Sequence, residues 1–475
     1  MSTSSDLCIV GAGALGIDLA LHARRFGADV VLVDRGQPEP GDAAQQAVRA
    51  ASLKESARRA QDLRQAADVG LVAGEIKFSV RQVTERAKAL AERRARATSE
   101  EILTARGVTV MRGAVSFVDH RSMLVGDITL RPRNILVAIG GAPAIPDVPG
   151  LGDIGYFTTD SILENTRKLT HLVVIGADAA AFEQAQVQKR LGAEVTLVAN
   201  GPMLAGFDPE LVALLCSMLA EEGIRILSDA RIGAIKARSQ GIGIEIVRED
   251  GTSQLLDASH ILVSAGRTVD LDGLAIAKAG LKPGNHPLHA YIRGPFGETS
   301  ARSIRLAGLA GGQESWAEAQ AHGRASVETI LGIKRAASAV RVPRLVETEP
   351  GLAQIGPHLE RAGKPRPGEQ SLRENFAEND RAAAMASERG LLKVSVDAQG
   401  QVLRAGIVGP RAAEIAGALA LAADRRIGLA GLAELPVPTP SLFNILVRLA
   451  ENYLASRPVS SMAQRTAALR RLWRR

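Results

Sequence analysis

Three glycines and an aspartate near the start of the chain carry the sharpest chemical signal. The glycines lie in Gly11-Ala-Gly13-Ala14-Leu-Gly16, directly after the apolar run Leu7 to Val10, and the acid is Asp34, which ends the run Val30 to Val33. In a phosphate-binding turn Gly11 permits the tight bend, Gly13 lets backbone approach a pyrophosphate, and Gly16 allows a helix to pack closely. Asp34, 18 residues beyond Gly16, can accept hydrogen bonds from an adenosine ribose. A lone glycine triplet would say little. With a strand before it, a helix after it and a strand ending in an acid, it reads as a dinucleotide-binding turn.

The same plan returns at His171 to Ile175, followed by Gly176-Ala-Asp178-Ala-Ala-Ala181-Phe-Glu183 and a strand at Glu194 to Val198. Here an aspartate replaces the glycine that should admit the pyrophosphate. Its carboxylate would repel phosphate and could itself occupy the helix N-terminus that phosphate uses. The second strand ends in Ala199-Asn200, which offers neither an acid for a ribose hydroxyl nor an arginine for a 2′-phosphate. The residues favour a structural βαβ unit over an ordinary NAD(P)H site.

Other chemistries are poorly supplied. Cys8 and Cys216 are the only cysteines, so a disulfide framework or a cysteine-based metal site is excluded by counting. Their apolar neighbourhoods favour structural roles for both. The eight histidines, from His22 to His358, show no metal-ligand spacing. No Gly-x-Ser-x-Gly elbow or Walker turn is present. The net charge of +7 includes six arginines between 457 and 475 with no acid among them, leaving +1 on the remainder. That balance argues against nucleic-acid binding by the folded body. The tail could form a basic helix around Leu469, Leu472 and Trp473, but reads more simply as a solubilising segment. The longest apolar run, Ile415 to Ala423, is too short to span a bilayer, and the opening residues lack a basic signal region. A cytoplasmic protein without a transmembrane segment is expected.

The elements that must position these groups follow from the same patterning. Gly is abundant and aromatics are scarce, which suits an α/β architecture. Two long charged helices are expected between about Ala43 and Arg106, broken near Val69 to Gly74. Strands are expected at Val108 to Val118 and Met123 to Leu130, then a buried strand from Asn134 that ends in Gly140-Gly141-Ala-Pro143.

Taken in order, these features resemble the class I pyridine nucleotide-disulfide oxidoreductases, the family of dihydrolipoamide dehydrogenase, mercuric reductase and glutathione reductase. The likeness runs to about Leu454. It includes Ala138-Ile-Gly-Gly-Ala-Pro143, Val173 to Glu183, Phe207-Asp-Pro-Glu210, Ile261 to Arg267, Leu306-Ala-Gly308, Val342-Pro343, Glu349 to Ala353, Ile407 to Pro410 and Pro438-Thr439. It implies an α/β fold with two Rossmann-like domains (an FAD/NAD(P)-binding fold) and a C-terminal α+β dimerisation domain. The expected division is an FAD-binding first part at 1–150, an NAD(P)-binding-like domain at 151–275, a return to the FAD domain at 276–335, dimerisation at 340–455 and a basic tail at 456–475. FAD is implied in the first turn and NAD(P)H in the second. Implied cofactor contacts are Gly11, Gly13, Ala14, Gly16, Asp34, Ala138, Gly140, Gly176, Glu183, Gly266, Arg267 and Gly308.

The family's chemistry is missing at several matched places. Its Cys-x4-Cys pair corresponds to Ala43 and Val48, and no gap rescues it, since no cysteine lies between Cys8 and Cys216. Its His-Pro-Thr and following Glu correspond to Val437-Pro438-Thr439 and Leu442. Leu309 stands where the family has an acid for the ribityl chain. The family lysine that pairs with Glu183 corresponds to Ser52, with Lys54 two residues on, which predicts a shortage of compensating charge beside the flavin. No catalytic residue is assigned. The implied function is an FAD-dependent oxidoreductase without a dithiol relay, its flavin reduced by NAD(P)H or another donor and oxidised directly by a small molecule or protein. The alternative is an inactive scaffold or regulatory partner of an active relative. A homodimer through the C-terminal domain is implied, with a heterodimer as the alternative.

Overall fold

The computed structural model describes residues 5–36, 43–72, 74–282, 291–333, 341–356 and 367–457. The expected basic helix in the tail, Ala463 to Arg475, and His358 lie outside them. The chain divides into two units, one within 1–205 and 219–342, the other within 206–218 and 343–475.

In the first unit, short runs of Val, Ile and Leu become parallel strands buried on both faces. Strand β1 (Leu7–Val10) leads through the glycine turn to helix α1 (Ala14–Arg24) and strand β2 (Val30–Asp34). The charged stretch forms α2 (Ala43–Arg64) and α3 (Val80–Ala95), then the short α4 (Glu100–Ala105). Strand β3 (Val108–Arg112) precedes a small antiparallel sheet of β4 (Val115–Phe117), β5 (Met123–Val125) and β6 (Ile128–Leu130). With β7 (Asn134–Val137) and the distant β18 (Ile304–Leu306) the main sheet runs β18-β7-β1-β2-β3, all parallel. Alternation along β1 sorts its two faces. Leu7 and Ile9 pack with Leu19 and Ala23 of α1, whereas Cys8 and Val10 pack with Phe117 and Met123 of the small sheet.

The plan then repeats. Short strands β8 (Ala142–Pro143) and β9 (Phe157–Thr158) lead to β10 (His171–Ile175), α5 (Ala179–Arg190) and β11 (Glu194–Val198). Helix α6 (Pro209–Glu221), most of which falls within the second unit, precedes β12 (Ile224–Leu227). An antiparallel trio follows: β13 (Ala230–Ala237), β14 (Ile242–Arg248) and β15 (Ser253–Ala258). With β16 (His260–Val263) the second parallel sheet runs β12-β11-β10-β16-β9, and Ile232, Ile244 and Ile246 of the trio pack on Val173, Ile175 and Val263. Strand β17 (Arg267–Thr268) pairs with β8, and helix α7 (Trp316–Ile330) returns to α1, where the Arg324 guanidinium donates to Asp18 Oδ2 at 2.9 Å.

The second unit is an antiparallel sheet of five strands: β19 (Arg344–Val346), β20 (Gly351–Ile355), β21 (Gln370–Asn375), β22 (Leu391–Val396) and β23 (Val402–Gly409). Ala, Ile and Leu of the helices Ala412–Asp424 and Asn444–Ala455 bury its face, with Phe376 fully enclosed. In this unit Lys393 pairs at once with Asp208 and, at 3.0 Å, with Glu210. No described helix is long and apolar enough to cross a membrane.

Candidate functional site

The glycine turn after β1 is shaped by its neighbours. Gly11 has φ +114°, and a Cβ there would lie 2.6 Å from the Ala138 carbonyl oxygen at the end of β7. A Cβ at Gly16 would stand 1.7 Å from the Gly11 carbonyl oxygen, so a glycine is required if α1 is to start this close to β1. Gly13 differs: a Cβ on it would meet no atom within 4 Å. Its residue caps α1 with no side-chain hydrogen bond, leaving the first amides of the helix, beginning at Ala14, without a side-chain cap. An open space before an uncapped helix N-terminus is what an anionic pyrophosphate needs.

Asp34 closes β2 beside this space. One carboxylate oxygen accepts the Gly36 N–H at 3.0 Å, and the other lies 3.6 Å from the Arg112 guanidinium, whose closer partner is Glu100 at 2.9 Å. The side chain keeps 39% of its surface, so it can still accept from a ribose. Gly308, at φ +63°, turns the chain after β18, and a Cβ on it would meet the Leu15 side chain of α1 at 2.6 Å. Gly140 is exposed with open space before it, and Gly266 takes φ +83°. The open space at Gly13, the uncapped start of α1 and the accepting carboxylate of Asp34 fit the dinucleotide part of FAD.

Glu183 corrects one expectation. It forms an ion pair with Lys54, Oε2 to Nζ at 2.6 Å, with both side chains largely buried. Charge compensation is therefore present, supplied from two residues further along α2 than the ungapped match. Ser52 is instead enclosed, and its hydroxyl accepts from Arg86 at 2.7 Å. With the family spacing counted back from Lys54, the cysteine places fall on Gln45 and Ala50 rather than Ala43 and Val48. Neither register supplies sulfur. The two thiols lie elsewhere, and burial pushes Cys8 up to about 12 and Cys216 up to about 11, so both stay protonated and unreactive near neutrality.

Arg267 lies at the surface but is held by its own unit. Its guanidinium grips Asp160 with two bonds, at 2.7 and 3.0 Å, and also donates to the Gly141 carbonyl at 3.0 Å. Asp160 is 4% exposed and gave no signal in the sequence, because its partner lies 107 residues away. Among the described residues no group of three or more His, Cys, Asp or Glu is arranged to hold a metal.

The second turn holds Gly176 tightly, since a Cβ would meet the Ser264 carbonyl oxygen at 2.1 Å. Asp178 caps α5, its Oδ1 accepting the Ala181 N–H at 2.9 Å and the Ser264 hydroxyl at 2.6 Å. The carboxylate thus takes the place a phosphate would use, and this turn does not fit a dinucleotide as the first one does.

Comparison with known proteins agrees with this architecture. Residues 5–323 match the family model described as pyridine nucleotide-disulphide oxidoreductase, and residues 342–450 match that family's dimerisation domain. Mercuric reductase of Staphylococcus aureus is 26% identical over 366 residues, covering 74% of this chain and 64% of that protein. Dihydrolipoyl dehydrogenase of Geobacillus stearothermophilus is 25% identical over 460 residues, 94% of this chain and 96% of the relative. In structure the chain is similar to LpdA from Mycobacterium tuberculosis, with a TM-score of 0.82 at 23% identity, covering 95% of this chain and 99% of that one. Members of the family depend on FAD and take electrons from NAD(P)H, and the C-terminal match supports a homodimer. With the first turn, the repeated α/β plan and both matched segments in place, the chain belongs to the pyridine nucleotide-disulphide oxidoreductase family.

Proposed function

We propose that this protein is an FAD-dependent oxidoreductase that works without a dithiol relay and passes electrons from flavin directly to an acceptor. The observation that carries the reading is an intact first turn in a chain with no thiol between Cys8 and Cys216. Gly13 and the uncapped start of α1 would hold the pyrophosphate, and Asp34 the adenosine ribose. FAD, when bound, supplies the redox chemistry, taking up two electrons and releasing them singly or as a pair. Glu183 and Lys54, matched to the family's flavin-facing pair, neutralise one another there.

Gln45 and Ala50 offer no nucleophile for a disulfide substrate, and Val437 and Leu442 offer no acid or base for a thiol. The acceptor is therefore one that needs no sulfur intermediate: a quinone, dioxygen or a redox protein. The test is anaerobic reduction of FAD-loaded protein with one equivalent of dithionite, then rapid mixing with menadione or an aromatic disulfide. Expected is flavin reoxidation by the quinone faster than that of free FAD, with no such advantage toward the disulfide. Failure to bind FAD even in excess, or disulfide reduction well above the free-flavin rate, overturns the reading.

A second reading, an inactive partner of an active relative in a heterodimer, is favoured by the self-capped second turn at Asp178. Quinone-dependent reoxidation would decide against it.

A further inference from the structure

We propose that Asp178, held by Ser264, is an internal anion that competes with the pyrophosphate of NAD(P)H and sets a weak affinity of the second turn for dinucleotides. The two halves of the first unit provide the comparison. Gly11 donates its N–H to Val33 O at 3.0 Å, and Gly176 donates to Val198 O at 3.0 Å. The Ala138 N–H meets Val10 O, and the Ser264 N–H meets Ile175 O, both at 2.8 Å. These bonds equate Gly11 with Gly176, Gly13 with Asp178, Gly16 with Ala181, Ala138 with Ser264 and Asp34 with Ala199.

Each feature that opens the first turn to a dinucleotide has a closed counterpart in the second. Where Gly13 leaves free space and an uncapped helix, Asp178 caps α5. Where Ala138 has only a methyl group, Ser264 contributes a hydroxyl that donates to the capping carboxylate at 2.6 Å. Where Asp34 can accept from a ribose, Ala199 is buried at 1% exposure and has no polar side chain. The loop after β11 adds a further closure, the Leu204 N–H donating to the Ala177 carbonyl at 2.7 Å with Leu204 itself 3% exposed.

An incoming pyrophosphate must therefore displace a carboxylate that already satisfies the helix amide, and must do so against like charge. Asp178 and Ser264 act as a pair: the hydroxyl fixes the carboxylate over the helix end. A pure framework role for the cap would leave nucleotide affinity unchanged when its charge is removed. The competing-anion role makes charge removal strengthen binding.

The experiment is calorimetric titration of the FAD-saturated full-length protein with ADP-ribose and with NADH, comparing wild type with Asp178→Asn and Asp178→Gly. Asparagine keeps a good N-cap while removing the charge, so it preserves the fold even if glycine does not. Asp178→Gly is expected to bind at least about tenfold more tightly than wild type, about 1.4 kcal/mol, with Asp178→Asn between them. Equal affinity in wild type and a folded Asp178→Asn overturns the proposal, whatever the glycine variant does. Because the readout is the change made at 178, it stands apart from whether the first turn passes electrons directly to an acceptor.

Discussion

Gly13 and Gly16 lie one helical turn apart, and a methyl group on each meets a different obstacle. At Gly16 it collides with the Gly11 carbonyl, so Gly16→Ala forces backbone to move and should cost about 1–3 kcal/mol of stability together with FAD affinity. At Gly13 it enters open space, so Gly13→Ala should leave the urea unfolding midpoint of the FAD-free protein unchanged while FAD affinity falls at least about tenfold. Equal losses of stability in the two variants would contradict a cradle kept open for a ligand. The Lys54–Glu183 pair yields a second residue-scale expectation. Lys54→Met takes the cation away from a largely buried carboxylate and should destabilise the protein by about 1–3 kcal/mol. Adding Glu183→Gln should restore part of that loss, and a double-mutant cycle from urea unfolding measures the coupling.

At the scale of elements, Arg267 is the clamp to test. It joins the start of β17 to Asp160 and to the Gly141 carbonyl beside β8, while Asp160 has almost no contact with water. Arg267→Ala leaves that carboxylate buried and unpaired, and a loss of about 3 kcal/mol in urea unfolding is expected. Arg267→Lys should regain less than half, because an ammonium cannot reproduce the two-pronged grip. This clamp also marks what the sequence could tell. The strands β1, β2, β7, β10 and β11, the glycine turns and the helices α1, α2, α3 and α5 are legible because periodicity and glycine spacing are local signals, whereas β12 to β15 and the five strands of the second unit are not announced in this way. Asp178 as a cap was legible for the same reason, since capping reaches only three residues forward to Ala181. Asp160 was hidden because nothing near it in the chain announces its partner. The Lys54–Glu183 pair was hidden because an ungapped match fixes helix register only to within a few residues, and the two-residue offset from Ser52 becomes visible only when the ammonium meets Glu183.

At the scale of the whole molecule, one βαβ plan is used twice in the first unit, and a redox centre in this family normally adds sulfur to it. Here the only two thiols belong to framework elements: Cys8 to the centre of the main parallel sheet and Cys216 to α6. A protein whose electrons bypass sulfur should work as well with none. Cys8→Ala combined with Cys216→Ala is expected to retain FAD and its full rate of quinone-dependent reoxidation. A fall of tenfold or more, in protein that still holds FAD, would show that a thiol takes part in the electron path. The same variant carries a pH signature. Burial raises the Cys8 thiol from an ordinary 9.0 to about 12, so above pH 9 the unfolded chain releases a proton that the native protein keeps. The stabilisation tied to that retained proton is complete below pH 9 and disappears as pH rises toward 12. Between pH 9 and 11 wild type should therefore lose stability faster than Cys8→Ala, by about 1.4 kcal/mol per pH unit once the unfolded thiol is ionised. Urea unfolding at stepped pH measures that difference, and parallel curves for the two proteins would mean that water or a neighbouring cation reaches the thiol in the folded sheet.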